Sequence, residues 1–136
     1  MILQEMHYES GLLYVLATGE FSLESAKQAF LAMVEAVAQH QAQHVLLDGR
    51  SITGTPEALE RFFYGEFAAN ETARLVKVHQ LNPQFAYVIH APLRDPKRLG
   101  ETVAVTRGMK VKTFETLDEA REWLDLPSLP AFVRPA

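Results

Sequence analysis

The chain has 136 residues, enough for one domain with a sizeable core, and 48% of them are hydrophobic. Thirteen basic against 17 acidic residues give a net charge of -4, which argues against a dedicated nucleic-acid binder, whose basic residues would be in excess. There is no cysteine, so disulfides, thiolate nucleophiles and cysteine-held metals or iron–sulfur clusters are excluded, and a reducing cytoplasm is the expected compartment.

Strands and helices alternate along the chain. Ile2 to Tyr8 reads as a strand, Glu9-Ser10-Gly11 as a short turn and Leu12 to Thr18 as a second strand. So tight a link makes the pair an antiparallel hairpin. Ser22 offers an N-cap oxygen to a helix over about 23–39, with Leu23, Ala26, Phe30, Val34 and Val37 as its buried stripe. Val45 to Leu47 is continuously apolar, as in a central strand covered on both faces, and is expected to end at Asp48. A turn rich in glycine and hydroxyl groups follows. Thr55 is placed to cap the next helix, and Pro56 suits its first turn. That helix would run to about His79, with Gly65 and Asn70 as points of bending and Leu59, Phe62, Phe63 and Phe67 as an aromatic inner face. Tyr64 would point away from it.

Phe85 to His90 is a further strand, and Asp95-Pro96 repeats the cap-then-proline start of a helix. Gly108 suits the position just past that helix. Lys110 to Phe114 is the last strand. Thr116 to Glu119 has the spacing of a capping box, opening a helix that buries Leu117, Ala120, Trp123 and Leu124 and stops at Pro127. The tail from Pro127 holds three prolines and reads as extended. The expected organisation is a single α/β domain over 1–126 and a proline-rich tail over 127–136. Its order is β-β-α-β-α-β-α-β-α, with a mixed five-stranded sheet and four helices mainly on one face. The uncovered sheet face, carrying Tyr14 or its strand neighbours with Tyr87 or Ala86, would be at least partly exposed and invite a second copy, giving a homodimer, or the tail through Phe132 and Val133.

This order resembles the STAS fold of sulphate transporters and anti-sigma-factor antagonists. It is closer to the small stand-alone bacterial STAS-like proteins grouped with CRAL-TRIO lipid-transfer domains. The resemblance spans about residues 1–126 and is carried by HVLLDGRSITG, YGEFAANETARL, FAYVIHAP and KVKTFETLDEAREWL. It implies a non-enzymatic regulatory or binding module. In the antagonists the third strand ends in an acid, matched here by Asp48, and a phosphorylatable serine follows in an Asp-Ser-Ser-Gly motif. Here Ser51-Ile-Thr53-Gly54-Thr55-Pro56 stands instead, with Thr53 and Thr55 as hydroxyls in about the same place.

Function is expected at the 48–56 strand-to-helix turn. A helix N-terminus carries unpaired N–H groups and partial positive charge, so Asp48, Arg50, Ser51, Thr53 and Thr55, with His90 and Arg94 from the neighbouring strand end, would form a site for a partner protein or a small anionic ligand. The bland alternative is that Thr55 only caps its helix. A second reading takes Phe62, Phe63 and Phe67 as an apolar pocket for a lipid or other apolar ligand; their plainer role is core packing. A third takes Asp48, Ser51 and His90 as a hydrolytic set, for which no GxSxG elbow is present. No histidine pair has metal-ligand spacing, and neither a metal nor a cofactor is expected. No apolar run is long enough to span a bilayer.

Overall fold

The computed structural model describes residues 1–135. Five strands form one sheet in the order β1-β2-β3-β4-β5: Ile2–Glu9, Leu12–Glu20, His44–Thr53, Gln84–Val88 and Lys110–Phe114. β1 is antiparallel to β2, and β2 to β5 are mutually parallel. Ser10 and Gly11 both take positive φ in the hairpin turn, which is why a glycine stands there.

The helices are α1 (Leu23–His40), α2 (Ala58–Arg74), α3 (Leu99–Thr106) and α4 (Leu117–Trp123). Ser22 caps α1 by accepting from the Ser25 N–H at 3.1 Å. Thr116 caps α4 in the same way, from Glu119 at 3.2 Å. α2 starts two residues later than its Thr55-Pro56 signal: its N-cap is Glu57, whose N–H donates to the Glu60 carboxylate at 2.9 Å. The helix does reach His79, but Leu75–His79 is wound as a π turn, closed by Gln80 in the left-handed region. Asp95-Pro96 does not open α3 directly. Arg98, at φ 50°, is its N-cap residue, and the Asp95 carboxylate accepts from the N–H groups of Lys97 and Leu99 across the intervening turn.

The sheet has two covered faces. Leu13, Val15, Phe30, Met33, Val37, Val45, Leu47 and Phe85 belong to the larger core, under α1, α2 and α3. Leu12, Tyr14, Leu16, Leu46, Ala86, Val88 and Phe114 face the other way, against Ala120 and Leu124 of α4. Crossover handedness explains the division. α1, α2 and α3 each join two adjacent parallel strands, and strand order advances in one direction, so right-handed crossovers place all three on one face. α4 follows the last strand, is under no such constraint, and packs on the opposite face.

The second face is therefore not left open. Tyr14 is fully buried and Tyr87 nearly so, contrary to the exposure expected for them. Of the alternatives Tyr87 and Ala86, Ala86 is the one on the α4 side, and Tyr87 belongs to the larger core. The tail completes the cover through Leu126, Leu129, Phe132 and Val133, as anticipated for the last two. It is not simply extended, because the Val133 N–H donates to the Pro130 carbonyl in a turn.

α2 turns a different face inward from the one its large aromatics suggest. Gly65, Ala68, Ala69 and Thr72 are its buried residues, whereas Leu59 is 68% and Phe63 44% exposed. Phe67 does pack on the core, edge-on to Phe30. Small residues are needed on this face because α3 crosses α2 at backbone contact: a Cβ on Gly65 would lie 2.4 Å from the Gly100 carbonyl oxygen.

Candidate functional site

β3 does not end at Asp48. It continues to Thr53, so the first half of the expected turn is strand. Past Asp48 it changes partners, however. β4 pairs with β3 only as far as Asp48 opposite Val88, while β2 stays paired through Glu20 opposite Thr53. A bulge at Gly49–Arg50 sets two residues of β3 against the single residue Ala17 of β2. β3 and β4 thus part at their carboxyl ends, where ligands of open parallel sheets bind.

On the α2–α3 side this parting forms a cavity of about 120 Å³. Its walls are Leu47, Ile52, Ala68, Ile89, Met109 and Val111, with Tyr64 and Tyr87 among them. The two tyrosine hydroxyls hydrogen-bond each other at 2.8 Å; one donates, and the acceptor keeps its own O–H for a further partner. Burial pushes the Tyr64 phenol up to about 12 and also raises Tyr87 well above the ordinary value. Both hydroxyls therefore stay protonated donors at neutral pH. Arg61, Asp95, Arg98, Glu101 and Thr113 also line it and supply its charged and polar groups. Arg61 donates to the carbonyls of Leu93 and Pro92 at 2.6 and 3.0 Å and straps the loop before α3 onto α2. Glu101 accepts from the N–H and Oγ1 of Thr113 at 2.6 and 2.8 Å and ties α3 to β5.

On the opposite face lies a buried polar network. The Arg50 guanidinium forms a two-pronged bond with the Asp48 carboxylate, at 2.9 and 2.8 Å. The Tyr14 hydroxyl donates to the same carboxylate at 2.7 Å. Burial raises the Asp48 carboxyl, but the bonds from Arg50 and Tyr14 outweigh it and hold the group below its ordinary value. Tyr14, buried and bonded to that carboxylate, is pushed up to about 12. The remaining Arg50 donors reach the carbonyls of Arg134 and Pro135, at 2.9 and 3.2 Å.

The expected site residues consequently fall into separate groups. Asp48 and Arg50 meet each other, Tyr14 and the tail. Ser51 is exposed beside Glu5, Thr18 and Arg134. Thr53 and Thr55 are exposed at the end of β3 and in the following turn. His90 and Arg94 lie near the end of β5: the His90 ring bonds the Glu115 carbonyl at 3.0 Å, and Arg94 pairs with the Glu115 carboxylate at 3.4 Å and donates to the Thr113 carbonyl. Among the described residues, no hydrogen bond joins Ser51 to Asp48 or to His90. Phe62, Phe63 and Phe67 do not line the cavity; Phe62 and Phe63 pack on each other and Phe62 lies under the Arg107 guanidinium.

The SpoIIAA-like family model matches residues 12–125. The chain belongs to the SpoIIAA-like family. No curated protein matches it. In this SpoIIAA-like chain the matched span runs from the start of β2 to the residue after α4 and its C-cap, so the cavity lies almost wholly within it, Met1 being the exception among its lining residues. β1 and the tail lie outside the matched span. A small single-domain STAS-like binding module is the class these observations support, and no described helix is long and apolar enough to cross a membrane.

Tyr64, Tyr87, Arg61 and the Gly65–Gly100 contact were not singled out as functional by sequence reasoning. The readable signal was the row Gly65, Ala68, Ala69, Thr72, small residues at helical spacing. An isolated glycine inside a helical pattern usually marks close packing rather than a bend.

Proposed function

We propose that this chain is a binding module whose ligand is a small, largely apolar molecule or acyl segment, held between the sheet and α2 and α3. The observation that carries the reading is the apolar cavity at the parted ends of β3 and β4, with the Tyr64–Tyr87 hydroxyl pair in its wall. Its aliphatic lining favours hydrocarbon. The hydroxyl pair offers one fixed polar contact; Arg61 is bonded to the Leu93 and Pro92 carbonyls and Arg98 is paired with Glu101, so neither is a free cation for a headgroup. The cavity is small beside drug-sized pockets of roughly 300–1,000 Å³. A short group fits as the chain stands, and a longer one requires α3 and the 89–98 loop to move away from α2.

An anionic ligand at residues 48–56 has less support, because the Arg50 charge is already matched by Asp48. The hydrolytic reading lacks its first requirement, since Asp48 and His90 are bonded elsewhere.

The test is native mass spectrometry of the purified chain beside Ala68→Leu, which adds three carbons to the cavity wall. The reading expects a bound small molecule, or uptake of an added medium-chain alcohol or carboxylate, by the natural chain and its loss in the variant. Equal uptake by both would overturn it.

A further inference from the structure

The polar network on the α4 face carries an inference of its own. Arg50 is neutralised by Asp48, yet two of its N–H groups are directed at main-chain carbonyls, those of Arg134 and Pro135. A guanidinium whose charge is already balanced suits neutral carbonyl acceptors better than a phosphate or carboxylate. Tyr14 adds a third main-chain contact, accepting from the Arg134 N–H at 3.4 Å while donating to Asp48. Two side-chain contacts accompany these three. The Phe132 ring stacks on His7 at 5.0 Å and lies 6.0 Å from Tyr14, and the Arg134 guanidinium pairs with Glu5. The groove is thus floored by β2 and β3 and rimmed by β1. It reads backbone at its centre and an aromatic-x-arginine pattern at its edge. That division is how extended peptides are recognised, with main-chain bonds giving affinity and alternate side chains giving specificity.

We propose that this groove is a peptide-binding site occupied in cis by the chain's own tail. Its occupant in trans is a segment of a partner protein carrying an aromatic residue two positions before an arginine. The tail acts as a displaceable plug. Tethering gives it an effective concentration of the order of millimolar, so a free peptide of ordinary affinity competes poorly until the tail is weakened. The site lies on the opposite side of the sheet from the apolar cavity, so its fate in a test leaves the cavity reading untouched.

The experiment uses the full chain and a fluorescently labelled peptide of residues 127–136, PSLPAFVRPA, followed by anisotropy. In the tail variant Phe132→Ala/Arg134→Ala the peptide should bind at least tenfold more tightly than to the natural chain. Adding Glu5→Gln and His7→Ala on β1 should remove that gain, as should Phe→Ala in the peptide. Circular dichroism establishes that each variant is folded. If the double tail variant is not, Arg134→Ala alone supplies the same comparison, because its side chain is exposed. No gain in peptide affinity in a folded tail variant would overturn the proposal. So would a natural chain that forms stable dimers by exchanging tails, since the trans occupant would then be a second copy.

Discussion

Replacing Gly65 by alanine tests the contact that holds the cavity shut. The new Cβ would sit 2.4 Å from the Gly100 carbonyl oxygen, 3.1 Å from its carbon and 3.2 Å from the Gly100 Cα. The first distance is short of ordinary contact by roughly 1 Å. All three atoms are backbone, so no side chain can swing aside, and α2 and α3 must separate. Overpacking of this kind costs about 3 kcal/mol at the upper end of its usual range. Alanine recovers about 1 kcal/mol of helix propensity. The net loss of about 2 kcal/mol corresponds to a drop in Tm of roughly 7 °C for a domain of this size. Thermal unfolding followed by circular dichroism measures it. The same separation widens the cavity, so the folded variant should take up a longer apolar ligand than the natural chain. An unchanged or raised Tm would refute the reasoning, because propensity would then have won and the helices would not be in backbone contact.

Other outcomes follow from the buried polar groups. The Asp48 carboxyl is held below its ordinary value of about 4, so the stability it contributes is complete above that pH and is lost as pH falls through the lowered value. Asp48→Asn should therefore cost about 3 kcal/mol at neutral pH, by leaving Arg50 without its counter-charge, and the cost should shrink in acid. Denaturant midpoints for both proteins at neutral and acid pH check this, and a pH-independent difference would contradict it. Tyr14 and Tyr64, both raised to about 12, and Tyr87, raised well above its ordinary value, favour the folded state below their ordinary values. That contribution is lost as pH climbs through the raised ones. Phenolate absorbance should show all three un-ionised in the folded chain at about pH 11, and ionised at that pH once denaturant unfolds it. Ala68→Leu should raise Tm if it fills an empty cavity, and a lowered Tm would mean that the space is already packed.

The fold was legible because its signals are local and agree with one another. The hairpin turn at Ser10-Gly11, the Ser22 and Thr116 caps and the apolar run at Val45–Leu47 each name an element without help from the rest of the chain. Helix starts were read less well where tertiary contacts decide. Thr55-Pro56 has the composition of a cap, but the reciprocal bond between Glu57 and Glu60 lies two residues on. Asp95 caps from a distance, across a turn that composition does not reveal. The face of α2 was misjudged because hydrophobic size was used to set its phase. Close packing against α3 instead selects Gly65 and Ala68, and the large aromatics are displaced to the flanks. The second face was expected open because handedness was applied to every helix, although it binds only a helix lying between two parallel strands.

The candidate site was half legible. The carboxyl ends of the parallel strands are where a ligand of such a sheet is expected, and Asp48 marks the last residue at which β3 and β4 pair. The chemistry there was not readable. Asp48 and Arg50 share one sheet face and bond each other two residues apart, but their other bonds come from residues 34 and 84 positions away in the chain. Pairings so distant leave no local pattern. The cavity depends likewise on Tyr64 and Tyr87, from a helix and a strand, meeting across it.

The central claim is that the space between the sheet, α2 and α3 takes an apolar ligand. The most direct measurement is a methyl-detected NMR titration of the natural chain with straight-chain alcohols of increasing length. Saturable shifts are expected on Ile52, Ile89, Leu93 and Val111, strengthening with chain length and abolished by Ala68→Leu. Shifts confined to exposed groups such as Leu59, Val76 and Val78, or equal shifts in Ala68→Leu, would contradict it.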